Sequence, residues 1–381
     1  PADQPTIQAA VDAAADGDAI AVASGNYEED VTIAGKAVKI IGDTTQRPRV
    51  LGTFYFSNAD SSELKNFEIL GPSSYASGVR AYASAVTMEW LYVTGFARGL
   101  SFAVDTGGDT LLSGIVSAGN TDGVRVENGA VITMDNSIVM FNSGHGLRTT
   151  GGTNTVLYNN DFVGNGGYES GYAGLSCGGH CDAYNNIFVN NDLGLSCPGT
   201  CDADYNIIWG NGTNYDYWAP RPHDLSVDPR FVEPAEHDFH LREDSPAIDV
   251  GNDIGLSADY DSVPRPQGEA FDIGAYEYVQ FISSTTLTIN EVMANPLDES
   301  TGEFIELYNY GDGAVDAAGL IIWDGDSVDE LAGYEGGSTT IPAGAYAVVL
   351  DPDYADEYTI DAGARLLTVA SSATIGNGLA T

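Results

Sequence analysis

The sequence has few basic residues and no long apolar run, and each shortage excludes a class of protein. Only 14 of its 381 residues are Lys or Arg, against 55 Asp and Glu, which gives a formal net charge of −41. A surface this acidic repels nucleic acid and anionic membranes, so neither is expected as a partner. No apolar run approaches the roughly 20 residues that a membrane-spanning helix needs, so no membrane span is expected.

Cysteine and histidine are also scarce, with four and five residues respectively, and the histidines show no two-histidine metal spacing. Cys177 and Cys181 recur 20 residues later as Cys197 and Cys201. Four converging thiolates would bind zinc, but the three residues inside each pair differ from the usual two. The alternatives are disulfides within each pair (Cys177–Cys181, Cys197–Cys201) or between pairs (Cys177–Cys197, Cys181–Cys201). The turn signal Pro198-Gly199 favours bonds within each pair.

Glycine is abundant, with 46 residues, and much of it belongs to a repeat. The signature Gly-[Val/Leu]-[Arg/Ser] recurs at intervals of 20 to 28 residues, beginning at Gly78, Gly99, Gly123, Gly146, Gly174 and Gly194. Each of the later copies is followed by an apolar strand and an Asn-containing turn, as in "MDNSIVMFN" and "AYNNIFVNN". Several short strands per unit, rich in β-branched and aromatic residues, predict a β coil that stacks on itself.

The beginning of the chain predicts a cap for this coil. In "TIQAAVDAAADGD" (6–18), Ile7, Val11 and Ala14 recur at helical spacing, and Gly17 ends the pattern. A short amphipathic helix there would cover the open end, which otherwise exposes the core and a strand edge.

The cap sequence and the rungs together resemble the right-handed parallel β-helix proteins, the superfold of pectate lyases, polygalacturonases and pectin esterases. The resemblance covers about residues 1–220 and implies an all-β fold, but this superfold serves enzymes and adhesins alike. Residues 222–278, with "DPRF", "SPAIDVGN" and "DIGAYEY", resemble the segment that ends many bacterial secreted β-helix proteins. We expect one domain over 1–278, in which 222–278 covers the C-terminal end.

The last part of the chain has a different pattern. From about Leu287, apolar and polar residues alternate as in a half-exposed antiparallel sheet. The strings "INEVMANP", "EFIELYN" and "IPAGAYAVVL" resemble the lamin-tail type of immunoglobulin-like domain. We expect a linker at 279–286 and a smaller β-sandwich over 287–381 that looks incomplete.

Stacking the rungs places equivalent residues about 4.8 Å apart, so the repeat predicts columns of side chains. One column follows each glycine by two places and points outward: Arg80, Ser101, Arg125, Arg148, Ser176 and Ser196. The three arginines are candidates for binding the carboxylates of a substrate. The alternative is that they pair with neighbours such as Glu127.

A second column, one place before each glycine, brings Arg98, Asp122 and His145 together as candidate catalytic residues. The strings "NTDG" (120–123) and "SGHG" (143–146) resemble polygalacturonase active-site motifs, and only Asp122 and His145 match that family. Its paired-aspartate rung and its Arg-x-Lys motif are missing, so hydrolysis lacks its second carboxylates. Asp105 or Glu127 are candidate substitutes.

The same residues also allow lyase chemistry on a uronic acid. Arg125 and Arg148 would neutralise the sugar carboxylate, and His145, oriented by Asp122, would remove the proton at C5. Tyr168 and Tyr172 are candidates for supplying the acid. The alternative is that His145 is a turn residue hydrogen-bonded to Asp122.

Four aspartates in the segment before the linker form a candidate calcium site, namely Asp249, Asp253, Asp259 and Asp261. Calcium prefers several loop oxygens, although no EF-hand spacing is present. The alternative is that these are solvated loop acids.

The function expected from these resemblances is that of an exported, extracellular or cell-surface protein. It would bind an acidic, uronate-containing polysaccharide and cleave it by lyase or hydrolase chemistry, with calcium as the only candidate cofactor. The alternative is a non-catalytic surface or matrix protein with a β-helix stalk, whose partner is a cell-surface glycan. Neither expectation includes an oligomeric state.

Overall fold

The computed structural model describes residues 4–72, 76–104, 108–167, 171–279, 286–293, 302–323, 328–352, 354, 358–360, 363–370 and 375. The chain forms two compact units. The first contains Pro1–Tyr260 and Pro264–Tyr278, and the second contains Asp261–Val263 and Val279–Thr381. None of the helices described is long and apolar enough to cross a membrane.

A short α-helix of about two turns, α1 (Ile7–Ala13), lies near the start of the first unit. The hydroxyl of Thr6 caps its N-terminus, as polar oxygens at this position commonly do. Ile7 and Val11 are buried in the core of the first rungs, and the carboxylate of Glu29 accepts the N–H of Ile7. The predicted capping helix is therefore present at the start of the coil.

Short strands follow, and almost all of them pair in parallel. Their bounds are β1 (Ala19–Val22), β2 (Asn26–Tyr27), β3 (Val31–Ala34), β4 (Lys39–Gly42), β5 (Arg49–Leu51), β6 (Phe54–Ser57), β7 (Ser62–Leu70), β8 (Val79–Tyr82), β9 (Val86–Thr94), β10 (Arg98–Ala103), β11 (Thr110–Ser113), β12 (Val116–Ala118), β13 (Asp122–Glu127), β14 (Val131–Asp135), β15 (Ile138–Met140), β16 (Leu147–Thr149), β17 (Asn154–Tyr158), β18 (Asp161–Val163), β19 (Ala173–Cys177), β20 (His180–Tyr184), β21 (Ile187–Val189), β22 (Leu193–Ser196), β23 (Thr200–Asp204), β24 (Ile207–Trp209), β25 (Thr213–Asp216), β26 (Phe231–Glu233) and β27 (Asp238–Leu241).

These strands form the predicted parallel β-helix. One nine-stranded sheet runs in the order β25-β22-β19-β16-β13-β10-β8-β6-β3, so each rung pairs with the next along the chain. A 16-stranded sheet forms the other sides, and it is joined through the long strands β7 and β9. These two strands bend at Asn66 and Trp90, which have positive φ of 61° and 57°.

The interior of the coil is a continuous apolar core with polar ladders at its corners. Phe162 stacks on Phe188 of the next rung with ring centroids 4.9 Å apart. At one corner, the Asn142 side-chain amide donates to Asn165, and Asn165 donates to Asn191, each at 2.9 Å. These ladders satisfy turn amides that no strand can pair, because the chain changes direction there.

The first residues of the segment 222–278 extend the last rung, because Leu225 bridges Ile207 in parallel and Asp224 accepts the backbone N–H of Asn206. The rest of the segment lies along the side of the rungs, whereas the sequence suggested a cover over their C-terminal end. Its residues Phe239, Ile273 and Tyr276 share a buried cluster with Val163 and Ile187. The reason is that β12, β15, β18 and β21 all carry apolar residues on their outward side, so this side needs a cover.

The second unit is a separate antiparallel β domain, as predicted. Its strands are β28 (Leu287–Met293), β29 (Phe304–Asn309), β30 (Val315–Asp316), β31 (Ile321–Trp323), β32 (Val328–Gly333), β33 (Thr340–Ile341), β34 (Tyr346–Leu350) and β35 (Arg365–Val369). A six-stranded sheet has the order β28-β29-β34-β35-β32-β31, and β30 pairs with β33. All its described pairs are antiparallel except β34 with β35. Ile305, Leu307, Val349 and Leu367 lie in its core.

Candidate functional site

The register of the nine-stranded sheet brings the predicted arginines into one outward column. In the strand register, Arg80 lies next to Ser101, Ser101 next to Arg125, and Arg125 next to Arg148. Arg98 is in register with Asp122 beside this column. We call the outward side of β8, β10, β13 and β16 the arginine face; it carries Arg80, Arg98, Arg125 and Arg148.

Two of these arginines are held by carboxylates of the same face. The Nε of Arg125 donates to Glu127 at 2.8 Å, and its Nη1 lies 3.4 Å from Asp122. Arg98 approaches Glu127 at 3.9 Å. For Arg98 and Arg125, the alternative of pairing with neighbours therefore describes the structure, and their charges are largely neutralised locally.

Arg80 and Arg148 are different. The guanidinium of Arg80 lies over the rings of Tyr55 and Tyr82, 5.5 and 5.9 Å from their centroids. Within the described ranges, no carboxylate lies within 4.0 Å of the guanidinium of Arg80 or of Arg148. On the arginine face these two are therefore the cations without a carboxylate partner, as Arg221 and Arg365 are elsewhere among the described residues. Tyr55 precedes Arg80 in the column, and the repeat search missed it because its rung lacks the glycine signature.

His145 is buried, with 8% of its surface exposed. Its imidazole ring and its backbone N–H each make one hydrogen bond to a neighbouring rung. Its Nδ1 accepts the backbone N–H of Ala173 at 3.0 Å, so the neutral imidazole carries its proton on Nε2. Burial lowers its pKa below the ordinary 6.5; the Asp122 carboxylate opposes this, and Arg148 and Arg125 add to it. At neutral pH the ring is therefore an uncharged hydrogen-bond donor.

The candidate catalytic column is assembled, but its internal contacts differ from those expected. Asp122 accepts the backbone N–H of His145 at 3.1 Å, while Ala173 rather than Asp122 orients the imidazole ring. Tyr172 lies edge-on to that ring with centroids 5.1 Å apart. Tyr168 and Asp105 lie outside the described residues.

The cysteines form disulfides within each pair. Cys177 bonds to Cys181 and Cys197 to Cys201, with Cα–Cα distances of 6.2 and 6.4 Å. The two bonds are stacked in the core of neighbouring rungs, since Cys181 is in register with Cys201. No cysteine is free, which leaves no thiolate for the zinc alternative.

The four aspartates of the candidate calcium site are not brought together. Asp249, Asp253 and Asp259 each accept a backbone N–H of the same segment, and Asp261 falls in the second unit. Across the described residues, no three carboxylate or histidine side chains place ligand atoms within 4.8 Å of one another.

Comparisons with known proteins give one family model and several similar solved structures. A family model described as the lamin tail domain matches residues 282–379. A solved pectate lyase, Pel9A, is similar over 71% of this chain and 90% of its own, with 14% identity and a TM-score of 0.36. An alginate lyase from Paenibacillus sp. str. FPU-7 is similar over 54% of this chain and 74% of its own, with 16% identity and a TM-score of 0.33. No curated protein matches the sequence.

The fold therefore defines the class: this is a parallel β-helix protein. More particularly, it is a parallel β-helix followed by an antiparallel β domain that matches the lamin tail domain model. These likenesses concern the fold, so any function has to be argued from the arginine face itself.

Proposed function

We propose that the arginine face binds an acidic, uronate-containing polysaccharide. The observation that carries this proposal is the pair of cations, Arg80 and Arg148, that have no carboxylate partner among the described residues. A guanidinium binds a carboxylate through two parallel hydrogen bonds. A polymer with a carboxylate on each sugar fits a column of cations spaced by rungs.

The neighbouring residues have supporting roles in this proposal. The Nε2–H of His145 would donate to a sugar hydroxyl or carboxylate, since its Nδ1 is occupied by Ala173. Tyr55 and Tyr82 would stack on sugar rings beside Arg80. Asp122 and Glu127 hold Arg125 in position and leave Arg148 as the central cation.

We also propose that the protein is exported. Support comes from the two disulfides, because such bonds form and persist in oxidising compartments. A glycan outside the cell is the partner that an exported, highly acidic protein with a local cationic face would meet.

Cleavage of the bound chain by a lyase reaction is a second candidate. It is favoured by the proximity of Arg148, His145 and Tyr172. In this β-elimination, Arg148 would hold the carboxylate, a base would remove the C5 proton, and the O4 leaving group would take a proton from Tyr172. For His145 to act as the base, its Nδ1 would have to release the N–H of Ala173 and accept the C5 proton of the substrate. The arrangement in the structure therefore favours binding over proton removal.

Calorimetric titration with oligogalacturonate and oligoalginate tests the binding proposal. Arg148→Ala and Arg80→Ala should each weaken the affinity about tenfold, as loss of one charge-assisted contact does. Arg49→Ala is the control, because Arg49 pairs with Glu68 on another sheet. Equal affinity of all three variants and the parent protein would exclude the arginine face as the site.

The two candidate functions are separated by following the ultraviolet absorbance of unsaturated uronate products and the release of reducing ends. A lyase gives both signals, and His145→Ala then abolishes them. Binding without either signal across a panel of uronate polymers identifies a non-catalytic glycan-binding protein.

A further inference from the structure

The lamin-tail domain contains a cavity that no part of the proposed function uses. It has a volume of about 640 Å³ and lies on the face of the sheet opposite the domain core. Phe304, Tyr346 and Tyr358 supply aromatic surface, and Val348 and Leu350 supply apolar surface. A concave, mostly apolar cavity with a few polar groups is the usual form of a small-molecule site.

Two carboxylates line the same cavity. Glu291 on β28 and Glu306 on β29 are directly opposite each other in the antiparallel register. Side chains in such pairs lie about 5 Å apart at Cβ, and like charges in this position repel. None of the described residues that line the cavity is basic. The only basic residue from 279 to 381 is Arg365, whose Nε donates to the carbonyl of Thr340.

We propose that this cavity binds an organic ammonium group, either a protonated amine or a quaternary ammonium, carried on a compact ligand. Glu291 and Glu306 would provide its counter-charges, and the rings of Phe304, Tyr346 and Tyr358 would form its wall. The argument is one of charge complementarity, because an ammonium relieves the repulsion between the two carboxylates. Aromatic faces also attract cations, and more strongly where water is excluded.

The same features exclude the ligand of the arginine face. A uronate would place a third negative charge beside Glu291 and Glu306, in a unit with a single arginine. The amine site and the arginine face therefore differ in the sign of charge they accept. A variant of one should leave binding at the other unchanged.

The test is calorimetric titration of the full chain with two organic ammonium compounds and their uncharged counterparts. Glucosamine is paired with N-acetylglucosamine, and choline is paired with its neutral isostere dimethylbutanol. Binding of glucosamine points to an amino sugar, and binding of choline points to a quaternary ammonium group. Either result, with at least tenfold weaker binding of the neutral counterpart, supports the proposal. Failure of both ammonium compounds to bind overturns it.

Variants locate the binding. Glu306→Gln and Glu291→Gln should each weaken amine affinity about tenfold, because each removes one counter-charge and keeps the side-chain shape. Asp312→Asn is the matched control, since Asp312 is an exposed acid of the same unit outside the cavity. If Glu306→Gln fails to fold, Glu291→Gln decides alone, because Glu291 is exposed on an edge strand.

Unchanged affinity in the folded Gln variants overturns the assignment to this cavity. Arg148→Ala should have no effect.

Discussion

At the scale of residues, His145 shows how a distant backbone group decides the chemistry of a side chain. The sequence placed it beside Asp122 and Arg98, and the register places all three in neighbouring rungs. Its tautomer, however, depends on the N–H of Ala173, which lies 28 residues away in the chain. No local motif predicts that contact, because the long rung between the two residues has to fold first.

The titration of His145 tests this arrangement. Its pKa should lie below 6.5, because burial and the nearby Arg148 and Arg125 disfavour the cation. Since the unfolded state then binds the proton more readily, stability should fall as pH drops from about 6.5 towards the folded-state pKa. Imidazole nitrogen NMR measures both the pKa and the tautomer. Arg148→Ala should raise the pKa, whereas Arg49→Ala should not.

At the scale of elements, the corner ladders hold neighbouring rungs in register. Each interior Asn of the ladder accepts from the rung before it and donates to a strand carbonyl or to the rung after it. Asn165 accepts from the backbone and side chain of Asn142 and donates to Val139 and Asn191. Asn211, at the end of the ladder, is half-buried and has fewer rungs to join.

Asn165→Ala should therefore destabilise the protein by about 2–4 kcal/mol, because it leaves buried groups of Asn142 without a partner. Asn211→Ala should cost clearly less, since water reaches the end of the ladder. Urea unfolding of the two variants and the parent protein gives the comparison. Equal losses would show that the ladder contributes no more in the middle than at its end.

The contact between the rungs and the segment 222–278 contains buried charge. Arg265 and Glu277 form a fully buried ion pair at 2.5 Å. Nearby, burial raises the pKa of Asp161 to about 8 and that of Asp272 to about 7. One carboxylate oxygen of Asp161 is buried and accepts no hydrogen bond from the described protein atoms. At mildly acidic pH, Asp161 and Asp272 are therefore mostly protonated and uncharged in the folded protein.

This packing predicts a pH dependence with a definite sign. Between about pH 4 and pH 8 the folded state binds more protons at Asp161 and Asp272 than the unfolded state does, so stability should fall as pH rises. Asp161→Asn should remove part of that slope, because an amide stays neutral. Chemical denaturation at pH 5 and above pH 8 measures it. An unchanged slope in the variant would assign the effect to other groups.

At the scale of the whole molecule, the charge of −41 and the arginine face respond to salt in opposite ways. Self-repulsion destabilises the folded chain, and salt screens it. The attraction between a uronate polymer and Arg80 and Arg148 is screened by the same ions. One variable therefore acts on stability and on binding with opposite signs.

Raising sodium chloride from about 0.05 M to about 0.5 M should increase the melting temperature and weaken polyuronate affinity severalfold. Calorimetry measures both in the same buffers. Sodium sulfate at matched ionic strength serves as the control for specific ion effects. A melting temperature that falls with salt would contradict the dominance of self-repulsion.

The sequence by itself determined the β-helix, the capping helix and the antiparallel domain. Each follows from a periodicity that is local or repeated: the glycine signature, the spacing of Ile7 and Val11, and the alternation after Leu287. The sequence also predicted the column of arginines, because stacking rungs with the same signature aligns the residues at equivalent positions. Such patterns are readable because every copy obeys the same geometry.

Only the tertiary structure decided which charges are free and where the last segment packs. Arg98 and Arg125 have carboxylate partners while Arg80 and Arg148 have none among the described residues, although the four have the same side chain. The calcium candidates depended likewise on loops whose spacing does not fix their convergence. The physical reason is that hydrogen bonds and ion pairs are set by distances of a few ångströms between residues far apart in the chain.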